Sequence, residues 1–219
     1  LFWDGRDIAP KSMLEIFKTF DENILSKHKN VVVSSISGRY FAMDRDNNWE
    51  RVQKSYNQIV FWENKIYLWV AEFINSEYQN DKTDEFLTPT FFSNWKTIEN
   101  NDAIFFLNFR SDRAKQLTKV FVDKDFSEFE TKNLSNIYFA TMTKYYADYS
   151  EKYFINDEKI TNVLWEVLSK KWLKQLHIAE TEKFAHVTKF FNWWINTSFE
   201  NETDILIPSH KVATYDLDP

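Results

Sequence analysis

The chain has 219 residues and a net charge of -6, and its hydrophobic share of 43% and charged share of 27% are those of a globular protein, not of a disordered or fibrous one. Two glycines and no cysteine exclude a glycine-rich phosphate cradle, disulfides and thiolate metal sites, and the acidic balance argues against a nucleic-acid-coating surface. No apolar run approaches the roughly 18 residues of a membrane span and no signal-peptide pattern is present, so a cytoplasmic chain without a membrane or nucleic-acid partner is expected.

Pro10-Lys11-Ser12 and the apolar spacing after it predict a helix over 13–25. The β-branched run 31–37 predicts a buried parallel strand ending at Gly38. Helices are predicted over 49–56 and 65–78, with Pro89 closing that region, then a buried strand over 103–109 and a helix over 113–120. A strand over 137–143, a helix over 158–172, a strand over 174–179 and strand-like runs at 187–191 and 205–213 follow. This alternation predicts an α/β protein, a layered sheet with helices on both faces. The polar, tyrosine-rich run 145–159 suggests a boundary, giving domains 1–157 and 158–219. With Leu1 in place of an initiator Met and a stop at Pro219 straight after a strand-like run, the chain reads as an excerpt of a longer protein.

Against 21 lysines there are six arginines, all in three short stretches: Asp4-Gly5-Arg6-Asp7, then Gly38 to Asp46 with Arg51 following, and Asn108 to Arg113. A guanidinium is a rigid fork that matches carboxylate or phosphate oxygens, which an ammonium cannot reproduce. The second and third stretches each follow a predicted strand, and open α/β sheets bind ligands at the carboxyl ends of their strands. A convergent site for a small molecule carrying phosphate, carboxylate or both is therefore expected, in preference to separate Arg–Asp pairs that only hold loops together. Asp7 and Asp112 would stay ionised among the arginines and could take a proton from a substrate hydroxyl. The four histidines offer no partner at metal spacing, and no metal site is expected from them. His28 reads as solvated and His186, near Lys183, as structural.

In order along the chain, DGRD, GRYFAMDRDNNWERV, TDEF with Pro89, NFRSDRA, IAETEKFAHVT and IPSHKVATYDL closely resemble the cofactor-independent phosphoglycerate mutases, over residues 2 to 219. The resemblance implies an enzyme that interconverts 3-phosphoglycerate and 2-phosphoglycerate in glycolysis through a phosphoserine, with a metal-bearing domain similar to alkaline phosphatase and an inserted phosphotransferase domain. It places residues 1–157 in the inserted, substrate-binding domain and 158–219 in the returning part of the metal-bearing one. Carried over by motif, Arg6, Asp7, Arg39, Arg45, Arg110, Ser111, Asp112, Arg113 and Lys183 would bind substrate, and Asp7 would accept the proton of the glycerate hydroxyl. Arg51 is left over as a structural partner of nearby acids. The serine nucleophile and the ligands of two Mn2+ or Mg2+ ions would lie outside this chain, which alone would position a small-molecule substrate without isomerising it. A monomer is expected. The alternatives are a non-catalytic phosphoglycerate-binding module and, more remotely, a phosphopentomutase-like enzyme.

Ordinary usage of about 7% would give roughly 15 glycines. The family carries glycine at stretches where this chain has Trp165, Trp172, Trp193 and Trp194, and glycine is also expected at Trp95, whereas Trp49 matches a family tryptophan. The sequence thus raises the expectation that the source reads UGA as glycine.

Overall fold

A computed structural model describes residues 1–63, 65, 66, 68–92, 97–146, 148–156, 160–193, 195, 197–210 and 212. The chain divides into two compact units, Leu1–Asn156 and Asp157–Pro219, each described by itself.

In the first unit, strand β1 (Phe2–Trp3) leads to helix α1 (Met13–Phe20), which a π-helical turn over Asp21–Leu25 extends. Strand β2 (Ser35–Gly38) runs straight into the short helix α2 (Arg39–Ala42), and helix α3 (Trp49–Phe61) follows. Then come β3 (Lys65–Ile66), α4 (Val70–Gln79), a 3-10 turn over Asp84–Phe86 and β4 (Thr90–Phe92). β5 (Ala103–Phe106), α5 (Ser111–Val122), β6 (Tyr138–Thr141) and β7 (Lys152–Tyr153) complete the unit. The strands form a mixed sheet in the order β1-β2-β4-β3 and a parallel sheet in the order β5-β6-β7.

Two apolar clusters hold these layers together. Met13 and Phe17 of α1 pack with Val70, Phe73 and Ile74 of α4 against Ile36, Leu87 and Phe92. Val52, Tyr56 and Val60 of α3 pack with Leu117 and Val120 of α5, flanked by Phe2 and Phe106, whose rings meet edge to face at 5.7 Å. Both clusters show the helical spacing of apolar residues that buries one face of each helix.

The second unit has α6 (Leu164–Lys170), β8 (Gln175–Glu180), α7 (Thr181–Val187) and β9 (Glu202–Ile207), with β8 and β9 parallel over six residue pairs. Among the described residues, no helix is long and apolar enough to cross a membrane.

The α/β class follows the sequence pattern, with several differences in detail. Only residues 35–37 of the 31–37 run lie in a strand, β2, which ends at Gly38 and pairs parallel to β1 but antiparallel to β4. Val31 and Val32 are 38% and 37% exposed, since the run outlasts its pairing partners. Lys65–Ile66 is a strand, with the helix starting at Val70. β5 alternates instead of being buried on both faces, with Phe105 52% exposed. The 187–191 run ends α7 and turns, because Thr188 and Phe190 donate their N–H groups back to Phe184 and Ala185. Residue 213, at the end of the last predicted strand, lies outside the described residues, as do Trp95 and Trp194.

Candidate functional site

The parallel pairing of β1 and β2 aligns Trp3 with Gly38, so the two strands end side by side. Their next residues, Asp4 and Arg39, therefore meet. Glycine is needed at both strand ends. A Cβ on Gly5, where φ is +63°, would lie 2.4 Å from the Glu85 nitrogen, and one on Gly38 would lie 2.3 Å from the Glu85 carbonyl oxygen. The backbone of the TDEF turn is thus pressed onto both loops. Asp84 fixes that turn: fully buried, its Oδ2 accepts hydrogen bonds from Ser12 N (2.8 Å) and Met13 N (2.9 Å), and its Oδ1 accepts one from the Tyr78 hydroxyl.

Arg39 opens α2 with its side chain only 9% exposed, and its Nη1 donates to Asp4 Oδ1 and to Asp7 Oδ2 at 2.7 Å. Burial works against its charge, but the hydrogen bonds to Asp7 and Asp4 outweigh burial and raise its pKa. The hydrogen bond from Arg39 lowers the Asp7 pKa in turn, against some desolvation, with the fields of Arg110 and Arg6 adding to the effect. Arg6 reaches Glu85 at 4.0 Å.

Arg45 lies in the loop between α2 and α3, and Asp44 shapes that loop. The buried Asp44 carboxylate accepts hydrogen bonds from Asn48 N and Asn48 Nδ2, both at 2.9 Å, and from Asp46 N at 3.1 Å. It also faces Arg51 at 3.6 Å, whose guanidinium lies 3.8 Å from the Tyr40 ring centroid. Arg51 is thus a structural partner of an acid, as its sequence suggested.

The third stretch caps α5, with Arg110 at the N-cap and Ser111, Asp112 and Arg113 in the first turn. Asp112, with its side chain 8% exposed, accepts from Arg45 Nη1 at 2.6 Å and from Arg110 Nε at 2.6 Å and Nη2 at 3.1 Å. Burial pushes its pKa up, but the two guanidiniums more than offset this and hold it below the ordinary carboxylate value. Arg113 donates Nη1 to the Met43 carbonyl at 3.0 Å. Burial and then the charges of Arg45, Arg39 and Arg6 push its pKa down to about 10. Ser111 is buried at 2% exposure.

The three stretches therefore come together. Arg6, Arg39, Arg45, Arg110 and Arg113 share one electrostatic neighbourhood with Asp4, Asp7, Asp46, Glu85 and Asp112, and the Arg–Asp pairs that hold loops are parts of it. Lys183 is exposed on α7 of the second unit. The sequence reading missed Asp4, Asp44 and the Asp84-Glu85 turn as supports. The strand register that sets Asp4 beside Arg39 is not written in either stretch.

In the second unit His177 has partners that its sequence spacing hid. Its Nδ1 is 3.0 Å from Asp204 Oδ1 and 3.1 Å from Glu202 Oε1, because the β8–β9 register pairs His177 with Asp204. Glu202 and Asp204 also accept hydrogen bonds from Phe199 N and Ser198 Oγ, whereas His177 Nε2 is buried without a hydrogen-bond partner, and the ligand atoms of the three residues lie close enough for an ion. A cavity of about 310 Å³ beside it is lined by Thr188, Lys189, Asn192, Glu202 and Asp204 among others, so its wall carries charges of both signs.

Residues 1–147 match the family model described as the BPG-independent PGAM N-terminus. Over its full length the chain is 41% identical to the 2,3-bisphosphoglycerate-independent phosphoglycerate mutase of Sulfurimonas denitrificans, of which it covers 44%. It is 45% identical to that of Legionella pneumophila, of which it covers 43%. A solved structure of Leishmania mexicana phosphoglycerate mutase at low cobalt concentration superposes with a TM-score of 0.86 at 27% identity, over 98% of this chain and 42% of that one. The chain thus spans less than half the length of these relatives.

Proposed function

Because the chain belongs to the 2,3-bisphosphoglycerate-independent phosphoglycerate mutases, we propose that its arginine cluster is the part of such an enzyme that holds glycerate and phosphate while 3-phosphoglycerate and 2-phosphoglycerate interconvert. The observation that carries this reading is the convergence of the three arginine stretches on Arg113: burial and the charges of Arg45, Arg39 and Arg6 depress its pKa more than Asp112 restores it. An anion among them would relieve that repulsion. Arg6, Arg39, Arg45, Arg110 and Arg113 would divide the carboxylate and phosphate oxygens, with Ser111 and Asp112 fixing the start of α5, and Lys183 would reach the phosphoryl group from residues 158–219, the metal-bearing part. Residues 1–157 form the substrate-binding part in this reading.

Asp7 is the proton acceptor for the glycerate hydroxyl. Its main restraint is the hydrogen bond from Arg39. When Arg39 turns to a substrate oxygen, Asp7 becomes a stronger base in the complex than in the unliganded protein. The cluster's carboxylates are occupied by guanidiniums and do not suit a divalent cation. The two ions, Mn2+ or Mg2+, would be held elsewhere in the complete enzyme, where they generate the nucleophile and neutralise the transferring phosphoryl group. We further place the enzyme in the cytoplasm as a monomer acting on a small molecule.

Calorimetric titration of the full-length protein with 3-phosphoglycerate, with and without Mn2+, tests the reading. Binding together with Mn2+-dependent mutase activity is expected. Binding without activity would identify a non-catalytic phosphoglycerate-binding module, and absence of binding would refute the site.

A further inference from the structure

Among the described residues, nine that are not glycine have a positive φ. Five are asparagine (Asn47, Asn101, Asn136, Asn162 and Asn201) and one is Asp81, types whose short polar side chains tolerate the left-handed region. The other three are tryptophans: Trp62 at 62°, Trp172 at 59° and Trp193 at 51°. An indole has no such local compensation, and its Cβ crowds the carbonyl that follows.

Trp172 shows what the backbone requires. Helix α6 is capped by Lys171, and the next N–H, that of Trp172, donates to Ser169 O at 2.8 Å, while Leu173 N–H donates to Leu168 O at 3.1 Å. This is the paired closure of a Schellman motif, in which the left-handed residue is usually glycine. Trp62 stands directly after α3 with φ 62° and ψ 26°, again in the left-handed region. Trp193 lies in the turns that follow α7, its N–H donating to Phe190 O at 3.3 Å. The burial of the three indoles does little to offset this cost: Trp62, Trp172 and Trp193 are 42%, 73% and 49% exposed, although Trp62 stacks on Phe91 at 5.8 Å. Each left-handed tryptophan costs folding a factor of about 5 to 30, so three of them cost on the order of 10²–10⁴.

We propose that positions 62, 172 and 193 are glycine in the protein as its source makes it, encoded there by UGA read as glycine. The chain's two glycines against nine tryptophans point the same way. The backbone also marks where the inference stops. Trp49 opens α3 in helical geometry with its ring edge to face on Phe126 at 5.3 Å, which is what a genuine tryptophan does. Trp3, Trp69 and Trp165 do not have positive φ, so this argument assigns them nothing.

The test begins with the gene and with peptides of the protein isolated from its source. Codons 62, 172 and 193 are expected to be UGA and codon 49 UGG, with peptide masses giving glycine at the first three positions. A UGG codon at any of the three, or a peptide carrying tryptophan there, overturns the assignment for that position. Recombinant protein with tryptophan at all three gives a second measurement. Trp62→Gly, Trp172→Gly and Trp193→Gly should each raise the folding equilibrium constant by about 5- to 30-fold in urea unfolding, whereas Trp49→Gly should lower it. Three variants that leave it unchanged or lower it would show that the backbone carries no strain there and sink the argument.

Discussion

Arg110 closes on Asp112 two residues along the chain, with Nε 2.6 Å from Oδ1 and Nη2 3.1 Å from Oδ2. Such a two-point grip needs the planar fork of a guanidinium. Arg110→Lys keeps the charge and loses the fork, so binding of 3-phosphoglycerate to the full-length protein should weaken by about 10-fold or more, the scale of a hydrogen bond to a charged group. The fold should persist, because the Arg110 side chain is 44% exposed. Calorimetry reads the affinity and circular dichroism the fold; unchanged affinity would make Arg110 a purely structural partner of Asp112.

The arginines were legible in the sequence because arginine is rare here and confined to three stretches. The types of the long, periodic elements were legible for the same kind of reason, as in α3 and α5, whose apolar faces repeat at helical spacing. What was not legible depends on pairing. Nothing local makes Asp4 a partner of Arg39 until β1 and β2 lie in register, and nothing local joins His177 to Glu202 and Asp204 until β8 and β9 do. Val31 and Val32 have strand composition but no strand beside them, and composition alone could not show that.

Asp112 carries a stability that depends on pH. Its pKa lies below the ordinary 3.8 in the folded protein, so the unfolded chain takes up its proton first as pH falls. The contribution is complete above pH 3.8 and is lost as pH drops through the lower folded value. Asp112→Asn should destabilise the protein by about 3 kcal/mol near neutral pH, because it breaks the buried ion pair with Arg45. It should also flatten the acid limb below about pH 4. Urea unfolding across pH is the measurement, and an unaltered acid limb would contradict the assignment.

The close approach at Gly38 predicts a different failure. Its φ of -68° suits any residue, so strain plays no part; the obstacle is the Glu85 carbonyl oxygen, 2.3 Å from where a Cβ would sit. Gly38→Ala must push the TDEF turn away, at a cost of about 3 kcal/mol. The displacement would also move Arg39, so phosphoglycerate affinity should fall with the stability. A denaturation midpoint equal to that of the unsubstituted protein would show that the turn gives way freely.

Arg113 offers the sharpest separation of binding from folding. Its guanidinium is desolvated and repelled by Arg45, Arg39 and Arg6, and its pKa is pushed down to about 10 from 12.5. A cation whose folded pKa is depressed weakens the fold at every pH where it is charged in both states, which includes the whole physiological range. Arg113→Met removes that charge, fills similar space and forfeits the bond to the Met43 carbonyl. The unliganded protein should therefore be as stable as before or more stable by about 1 kcal/mol, because burial and the neighbouring arginines together outweigh the attraction of Asp112. Binding should move in the opposite direction, because the repulsion among the arginines is what favours an anion between them. Affinity for 3-phosphoglycerate should fall by about 10-fold or more. The thermal shift that 3-phosphoglycerate gives should shrink with it, since a ligand stabilises only the state it binds. If Arg113→Met destabilised the unliganded protein strongly and left affinity intact, the charge would be a structural element and the cluster would need another anion contact to explain it.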